Sequence, residues 1–296
     1  MNDAFPSPLV SAERLAELLV DPSARPRVRP VDVRWKLNAP EHGRLAFETG
    51  HVPGAIFLGL DTDLADPNGL GAPGRHPLPD PVAFARLLGD VGIGDDSYVV
   101  AYDDAGGTVA ARLWWMLDDL GHREAAVLDG GIDAWVEAGG ELTAEPADWP
   151  ATALHVRGRW SRVVERDALR ARLGEVRLVD GRAVERYRGD TEPVDPVAGH
   201  IPTAISAPVT ANLENGRLLP PAELRRGYES LGLAAAGPEV VVACGSGVNA
   251  THHALSMRLA GLADPTLYAG SYSDWSRSGL PVATGDDPGD PEPAAR

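Results

Sequence analysis

The chain has 296 residues, a hydrophobic content of 44% and a formal net charge of −16 at pH 7. This length suggests two domains of ordinary size, and the apolar content excludes global disorder. The negative charge argues against nucleic acid and anionic membrane surfaces as partners.

Targeting and cysteine content narrow the expected setting. The first residues lack a basic segment followed by an apolar one, and no stretch approaches the length of a transmembrane helix. Cys244 is the only cysteine, which excludes an internal disulfide and a metal site built from thiolates. We therefore expect a cytoplasmic protein with a free thiol and no membrane partner.

Strands and amphipathic helices alternate along the first half of the chain. The pattern predicts helices over 11–19 and 109–120, and strands over 29–33, 55–58, 98–102 and 125–128. Such alternation predicts an α/β fold with a mainly parallel sheet flanked by helices.

Four sequence blocks occur twice, in the same order and with similar spacing. The pairs are 31–34 and 179–182, 50–56 and 199–205, 99–103 and 240–244, and 128–135 and 268–275. The repeat indicates an internal duplication, and it aligns Asp103 with Cys244. Since a carboxylate cannot replace a thiolate nucleophile in sulfur chemistry, we expect one active site, in the second half.

The duplication predicts two similar domains. We place a non-catalytic domain at residues 1–143, a Pro-containing linker at 144–157 and a catalytic domain at 158–285. The tail 286–296 is rich in Asp, Pro and Gly, and we expect it to be disordered.

Cys244 opens the run Cys-Gly-Ser-Gly-Val-Asn-Ala between a β-branched segment, 240–243, and a stretch with helical spacing. Converging backbone N–H groups and the start of a helix favour an anion at such a junction. Both effects favour the reactive thiolate. A buried structural cysteine is the alternative interpretation.

The paired blocks, the loop 244–248 and the closing Gly270-Ser271-x-x-x-Trp275 resemble a tandem-domain rhodanese-type sulfurtransferase. The resemblance extends to about Gly285 and implies two rhodanese-like domains, with catalysis in the C-terminal one. It implies a persulfide on Cys244 without a metal or organic cofactor. The acceptor would be a thiol, a thioredoxin-like protein or cyanide.

The resemblance also separates two small anionic sulfur donors. Thiosulfate enzymes resemble Cys-Arg-Lys-Gly-Val-Thr, with two cations for a dianion, whereas Gly245 and Ser246 are neutral, as in the 3-mercaptopyruvate enzymes. The latter usually have a second arginine about nine residues after the first. The stretch 194–197 contains no cation at that place, which keeps thiosulfate as the alternative donor.

Five further side chains are assigned by the resemblance. Asp61, His76 and Ser246 correspond to a proposed proton relay, which would activate the thiol or protonate the enolate product. Arg186 corresponds to the arginine that binds the substrate carboxylate, a task that suits the guanidinium fork. Arg188 is a neighbouring candidate.

The loop itself is the remaining part of the predicted substrate site. It comprises Gly245, Gly247, Val248 and Asn249 as well as the serine. Asn249 stands where threonine is usual, and we expect its side chain to hydrogen-bond the loop backbone.

Two other functional classes fit the sequence less well. A cysteine phosphatase needs an arginine six residues after the nucleophile, and Ala250 occupies that position. A non-catalytic binding module would have no reason to retain Cys244, the loop glycines and Arg186 together. Two fused domains favour a monomer or a weak dimer.

Overall fold

The computed structural model describes residues 7–66, 74–234 and 237–291. They form two compact units. Unit 1 contains residues 7–66, 78–161 and 215–218, and unit 2 contains the other described residues. In these described ranges, no helix combines the length and the apolar character that a membrane span requires.

Unit 1 is built on a five-stranded sheet in the order β1-β5-β4-β2-β3, and all its strand pairs are parallel. The strands are β1 (Leu9–Val10), β2 (Val28–Asp32), β3 (Ile56–Phe57), β4 (Tyr98–Tyr102) and β5 (Ala125–Leu128). The helices are α1 (Ala12–Val20), α2 (His42–Thr49), α3 (Pro81–Asp90), α4 (Ala110–Leu120) and α5 (Gly131–Glu137).

The sequence of unit 1 explains these elements. Every residue of β2, β4 and β5 is buried, as expected of a parallel sheet covered on both faces. Ser11 caps α1 by accepting from Arg14 N, and Asp80 caps α3 in the same way. The predicted α/β fold with a parallel sheet is confirmed.

Unit 2 has a four-stranded parallel sheet in the order β11-β10-β6-β7. The strands of this sheet are β6 (Arg177–Asp180), β7 (Ile205–Ser206), β10 (Val240–Ala243) and β11 (Thr266–Leu267). The short strand β8 (Leu213–Glu214) lies in unit 2 outside this sheet, and β9 (Arg217–Leu218) groups with unit 1. Its helices are α6 (Arg166–Arg170), α7 (Val184–Arg188), α8 (Pro221–Ser230), α9 (Ala250–Leu259) and α10 (Ser271–Trp275), with a 3₁₀ turn at Val209–Asn212.

The duplication is visible in individual contacts. His51 stacks on Phe47 with ring centroids 3.8 Å apart, and its Nδ1 lies 2.7 Å from the Phe47 carbonyl oxygen. In unit 2, His200 stacks on Tyr187 at 3.7 Å, with its Nδ1 2.8 Å from the Tyr187 carbonyl oxygen. The two repeats therefore share the packing of this buried residue as well as the sequence around it.

A closing segment follows the last helix of each unit. In unit 1, the carbonyl oxygen of Glu145 lies 3.0 Å from His51 Nε2, and in unit 2 that of Asp287 lies 3.2 Å from His200 Nε2. The predicted linker, 144–157, thus packs against unit 1. The structure describes residues 286–291 of the tail, in which disorder is expected, and Asp287 there makes the counterpart of the Glu145 contact. Residues 292–296 lie outside the described residues.

Candidate active site

Cys244 lies directly after β10, at the carboxyl end of a central strand, and its residue is 3% exposed. Its backbone N–H donates to Ser271 Oγ at 3.0 Å, and its carbonyl oxygen accepts from Tyr272 N at 3.0 Å. Ser271 is a non-glycine residue with φ +53°, where the aligned residue of unit 1 is Gly131 at φ +60°. The second repeat therefore places a strained serine beside its cysteine, a feature typical of functional sites.

Gly247 gives the loop its turn. Its φ is +77°, and a Cβ atom there would lie 2.4 Å from the carbonyl oxygen of Ala269. Since real Cβ atoms do not approach a carbonyl so closely, the tight return into α9 requires glycine at this position.

Backbone donors remain available around the thiol. The N–H groups of Gly245, Ser246, Val248 and Asn249 donate to no acceptor among the described residues. Together with the N-terminus of α9, they form a set of donors for an anion at the loop. This set of donors can bind an anionic group at the loop.

In the aligned loop of unit 1, a side chain of the loop itself accepts the hydrogen bonds of its backbone N–H groups. The Asp103 carboxylate accepts through Oδ1 from Ala105 N and Gly107 N, both at 2.9 Å. Through Oδ2 it accepts from Val109 N at 2.8 Å and Ala110 N at 2.9 Å. The N-terminal loop is therefore an anion cradle occupied by its own side chain.

Two members of the predicted relay meet in unit 2. His76 Nδ1 lies 2.7 Å from Ser246 Oγ, and both residues are buried. Asp61 belongs to unit 1, where its carboxylate accepts from Trp35 Nε1 at 2.8 Å. Its part in the relay stays a prediction.

Two guanidinium groups lie over Gly245. A Cβ atom at that position would lie 2.9 Å from Arg75 Nη2 and 3.5 Å from Arg186 Nη1. Burial lowers the pKa of Arg75, with a further contribution from Arg186, and the Asp195 carboxylate opposes this effect. Arg75 is a site residue that was not predicted from the sequence, although its position directly before His76 was a usable signal.

Buried carboxylates hold these cations. Glu192 accepts from Arg186 Nη2 at 2.7 Å and from the backbone N–H groups of Val194 and Asp195, both at 3.0 Å. Burial alone would raise the pKa of Glu192, but these hydrogen bonds, led by that from Arg186, keep it below its usual value. Arg186 Nη2 also donates to Asp195 at 3.2 Å.

Arg188 and Asn249 do not make the contacts that were predicted for them. Arg188 lies two residues beyond Arg186 on α7, about 200° further around the helix, and its Nε donates to the exposed Asp286. We therefore leave Arg188 out of the site. Asn249 precedes α9 without a side-chain cap hydrogen bond, and its side chain makes no bond to the loop backbone among the residues that the structure describes.

Comparison with known proteins agrees with this geometry. Rhodanese-like domains match residues 11–138 and 165–278. The chain belongs to the rhodanese family. The two matches cover both repeats, so the predicted tandem architecture is confirmed.

Relatives of full length carry sulfurtransferase names. The chain is 42% identical over 291 residues to the "Probable 3-mercaptopyruvate sulfurtransferase" of Pseudomonas aeruginosa, covering 94% of this chain and 98% of that protein. It is 32% identical over 281 residues to the thiosulfate sulfurtransferase of Rattus norvegicus, covering 92% and 93%. The 3-mercaptopyruvate sulfurtransferase from Leishmania major superimposes with a TM-score of 0.79 at 28% identity, covering 92% of this chain and 75% of that one.

Proposed function

We propose that this protein is a sulfurtransferase that moves sulfur from 3-mercaptopyruvate through a Cys244 persulfide to a thiol or cyanide, releasing pyruvate. The observation that carries the proposal is the pair of guanidinium groups over Gly245, next to a buried thiol and a Ser246–His76 hydrogen bond. The names of the full-length relatives support it.

The first half-reaction forms one S–S bond and breaks one C–S bond. The Cys244 thiolate attacks the donor sulfur, and the electron pair of the C–S bond passes to the methylene carbon. The product is the enolate of pyruvate, which takes up one proton to give pyruvate. The loop N–H donors stabilise the sulfur anion through the transfer.

Ser246 and His76 supply the proton path. The hydroxyl group of Ser246 is within hydrogen-bond distance of the imidazole, so it can pass a proton to the enolate carbon and regain one from His76. Asp61 completes this relay in the proposal.

Arg186 and Arg75 bind the donor carboxylate. Arg186 Nη1 and Arg75 Nη2 lie on the same side of the loop, and carboxylates are well matched to guanidinium donors. In the second half-reaction, cyanide or a thiolate attacks the outer sulfur, and Cys244 leaves as thiolate. With cyanide the product is thiocyanate.

Thiosulfate is the second candidate donor. Two guanidinium groups at Gly245 provide cations near the place where thiosulfate enzymes carry a loop arginine. In this version the thiolate takes the outer sulfur of thiosulfate, and sulfite leaves with the electron pair of the S–S bond.

A free thiol suits a reducing cytoplasm, and a cytoplasmic location is part of the proposal.

Each donor is tested separately with cyanide, and thiocyanate is measured. We expect turnover with 3-mercaptopyruvate to exceed that with thiosulfate, and the reverse order would transfer the assignment to thiosulfate. Because Cys244 is the only cysteine, intact-mass analysis after donor treatment assigns a gain of one sulfur atom to it. Cys244→Ser should lose both the mass gain and the turnover, and retained activity would refute the mechanism.

A further inference from the structure

Asp195 lies at the centre of the arginine cluster. Its side chain is fully buried, and it accepts hydrogen bonds from Arg75 and, at 3.2 Å each, from Arg186 and Arg277. It stands nine residues after Arg186, where the family resemblance leads one to expect a second arginine. The protein therefore has an anion at a position that usually contributes a cation.

The charges of the connected cluster can be counted directly. The guanidinium groups are those of Arg75, Arg182, Arg186 and Arg277, and the carboxylates are those of Asp180, Glu192 and Asp195. Four cations and three anions leave one net positive charge. An arginine at position 195 would add two positive charges to the same cluster.

We propose that Asp195 sets the charge preference of the donor site, so that a monoanionic sulfur donor is favoured over a dianionic one. This inference rests on the proposed function. The carboxylate acts in two ways: it reduces the positive potential at Gly245, and it fixes the directions of Arg75 and Arg186. Asp195 is thus a positioning residue that acts through the two arginines.

The sign of the charge effect follows from Coulomb's law. Removing one negative charge near the loop strengthens the binding of any anion, and a dianion gains twice as much as a monoanion. Asp195→Asn should therefore raise the ratio of kcat/KM for thiosulfate to that for 3-mercaptopyruvate by about tenfold at low ionic strength. Added salt should reduce this change.

The matched control is Asp190→Asn. Asp190 precedes Asp195 by five residues, is exposed and has no ion-pair partner among the described residues. The substitution changes the net charge of the protein equally, so it should leave the donor ratio unchanged. Arg277 is a half-exposed arginine of the cluster. Arg277→Met removes its positive charge and should lower the ratio of kcat/KM for thiosulfate to that for 3-mercaptopyruvate.

A second readout needs no sulfur donor. Iodoacetate and iodoacetamide alkylate the same thiol, but only iodoacetate is an anion, so the ratio of their rates on Cys244 reports the local potential. Asp195→Asn should raise this ratio, Arg277→Met should lower it, and Asp190→Asn should leave it at the wild-type value. A purely structural defect would slow or speed both reagents together.

The outcomes separate the two proposals. If the wild-type protein turns over neither donor, the proposed function fails, while the expected alkylation ratios still support the charge role of Asp195. If the wild type is active but both ratios stay constant across the variants, the charge role is refuted. Should Asp195→Asn fail to fold, Arg277→Met tests the same prediction with the opposite sign.

Discussion

Arg186 and Arg188 provide an internal comparison of two arginines on one short helix. Arg186 lies over the catalytic loop, and Arg188 pairs with Asp286 on the other side. Arg186→Met and Arg188→Met remove the same charge and a similar length of side chain. We expect only the first change to weaken the use of 3-mercaptopyruvate.

The magnitude follows from the contact that is lost. A hydrogen bond to a charged group contributes about 1.5–3 kcal/mol, which corresponds to a loss of about 10- to 150-fold in kcat/KM. The loss should fall mainly on KM, because the carboxylate does not take part in bond breaking and is bound equally in the ground and transition states. Glu192 and Asp195 keep other donors, from Arg182 and from Arg75 respectively, so the fold should survive.

Initial rates of pyruvate release at several donor concentrations give kcat and KM for each variant. Thermal unfolding of both variants serves as the control for stability. Equal losses in the two variants would refute the assignment of Arg186 to the donor carboxylate, because a long-range effect of charge would then explain the data. A loss confined to kcat would also contradict it.

Two predictions concern the loops themselves. Gly247→Ala should abolish turnover, because its Cβ atom would clash with the carbonyl oxygen of Ala269. The control is Gly261→Ala, which is also at positive φ but has open space around it, so it should lower only the stability. Thiocyanate release and thermal melting distinguish the two variants, and an active Gly247→Ala protein would contradict the geometry. Asp103→Asn should reduce the free energy of unfolding by about 3 kcal/mol or more in urea titrations. The reason is that the amide N–H₂ group would replace one carboxylate oxygen and could not accept the two backbone N–H groups bonded there, for example those of Val109 and Ala110. Asp104→Asn is the control with the same charge change, and equal effects of the two substitutions would show that the cradle contributes nothing specific.

The sequence predicted the parts of the fold that depend on local pattern. Strands β4 and β5 coincide with the predicted ranges, and α4 begins one residue after the predicted start. These segments are continuous and apolar, so periodicity identifies them well. The cysteine loop was recognisable because a strand, two glycines and a helix are adjacent in the chain.

The arginine cluster could not be obtained in the same way. Arg75 lies within the predicted non-catalytic domain, 1–143, yet residues 74–77 group with unit 2. Asp195 was predicted only as the absence of a cation, because two of its three ion pairs, with Arg75 and Arg277, join residues far apart in the chain. Contacts of this kind depend on tertiary packing, which no local pattern records.

The C-terminal segment around Asp287 shows a limit of predicting order from composition. Its composition favours disorder, but the segment around Asp287 has a packed counterpart at Glu145. A repeat comparison extended past the last shared block would have suggested this order. Composition describes what a segment prefers alone, whereas the residues that it contacts in the folded unit decide whether it packs.

The duplicated loops at Asp103 and Cys244 differ in what accepts their backbone hydrogen bonds. In the first copy, Asp103 makes the anion a permanent part of the polypeptide, so the four N–H donors are satisfied as soon as the domain folds. In the second copy, the N–H groups of Gly245, Ser246, Val248 and Asn249 donate to no acceptor within the part of the chain that the structure describes, so in the proposed mechanism they are available to a sulfur anion. Exchanging a carboxylate for a thiol at this one position therefore leaves loop N–H groups for an external anion instead of for the protein's own side chain.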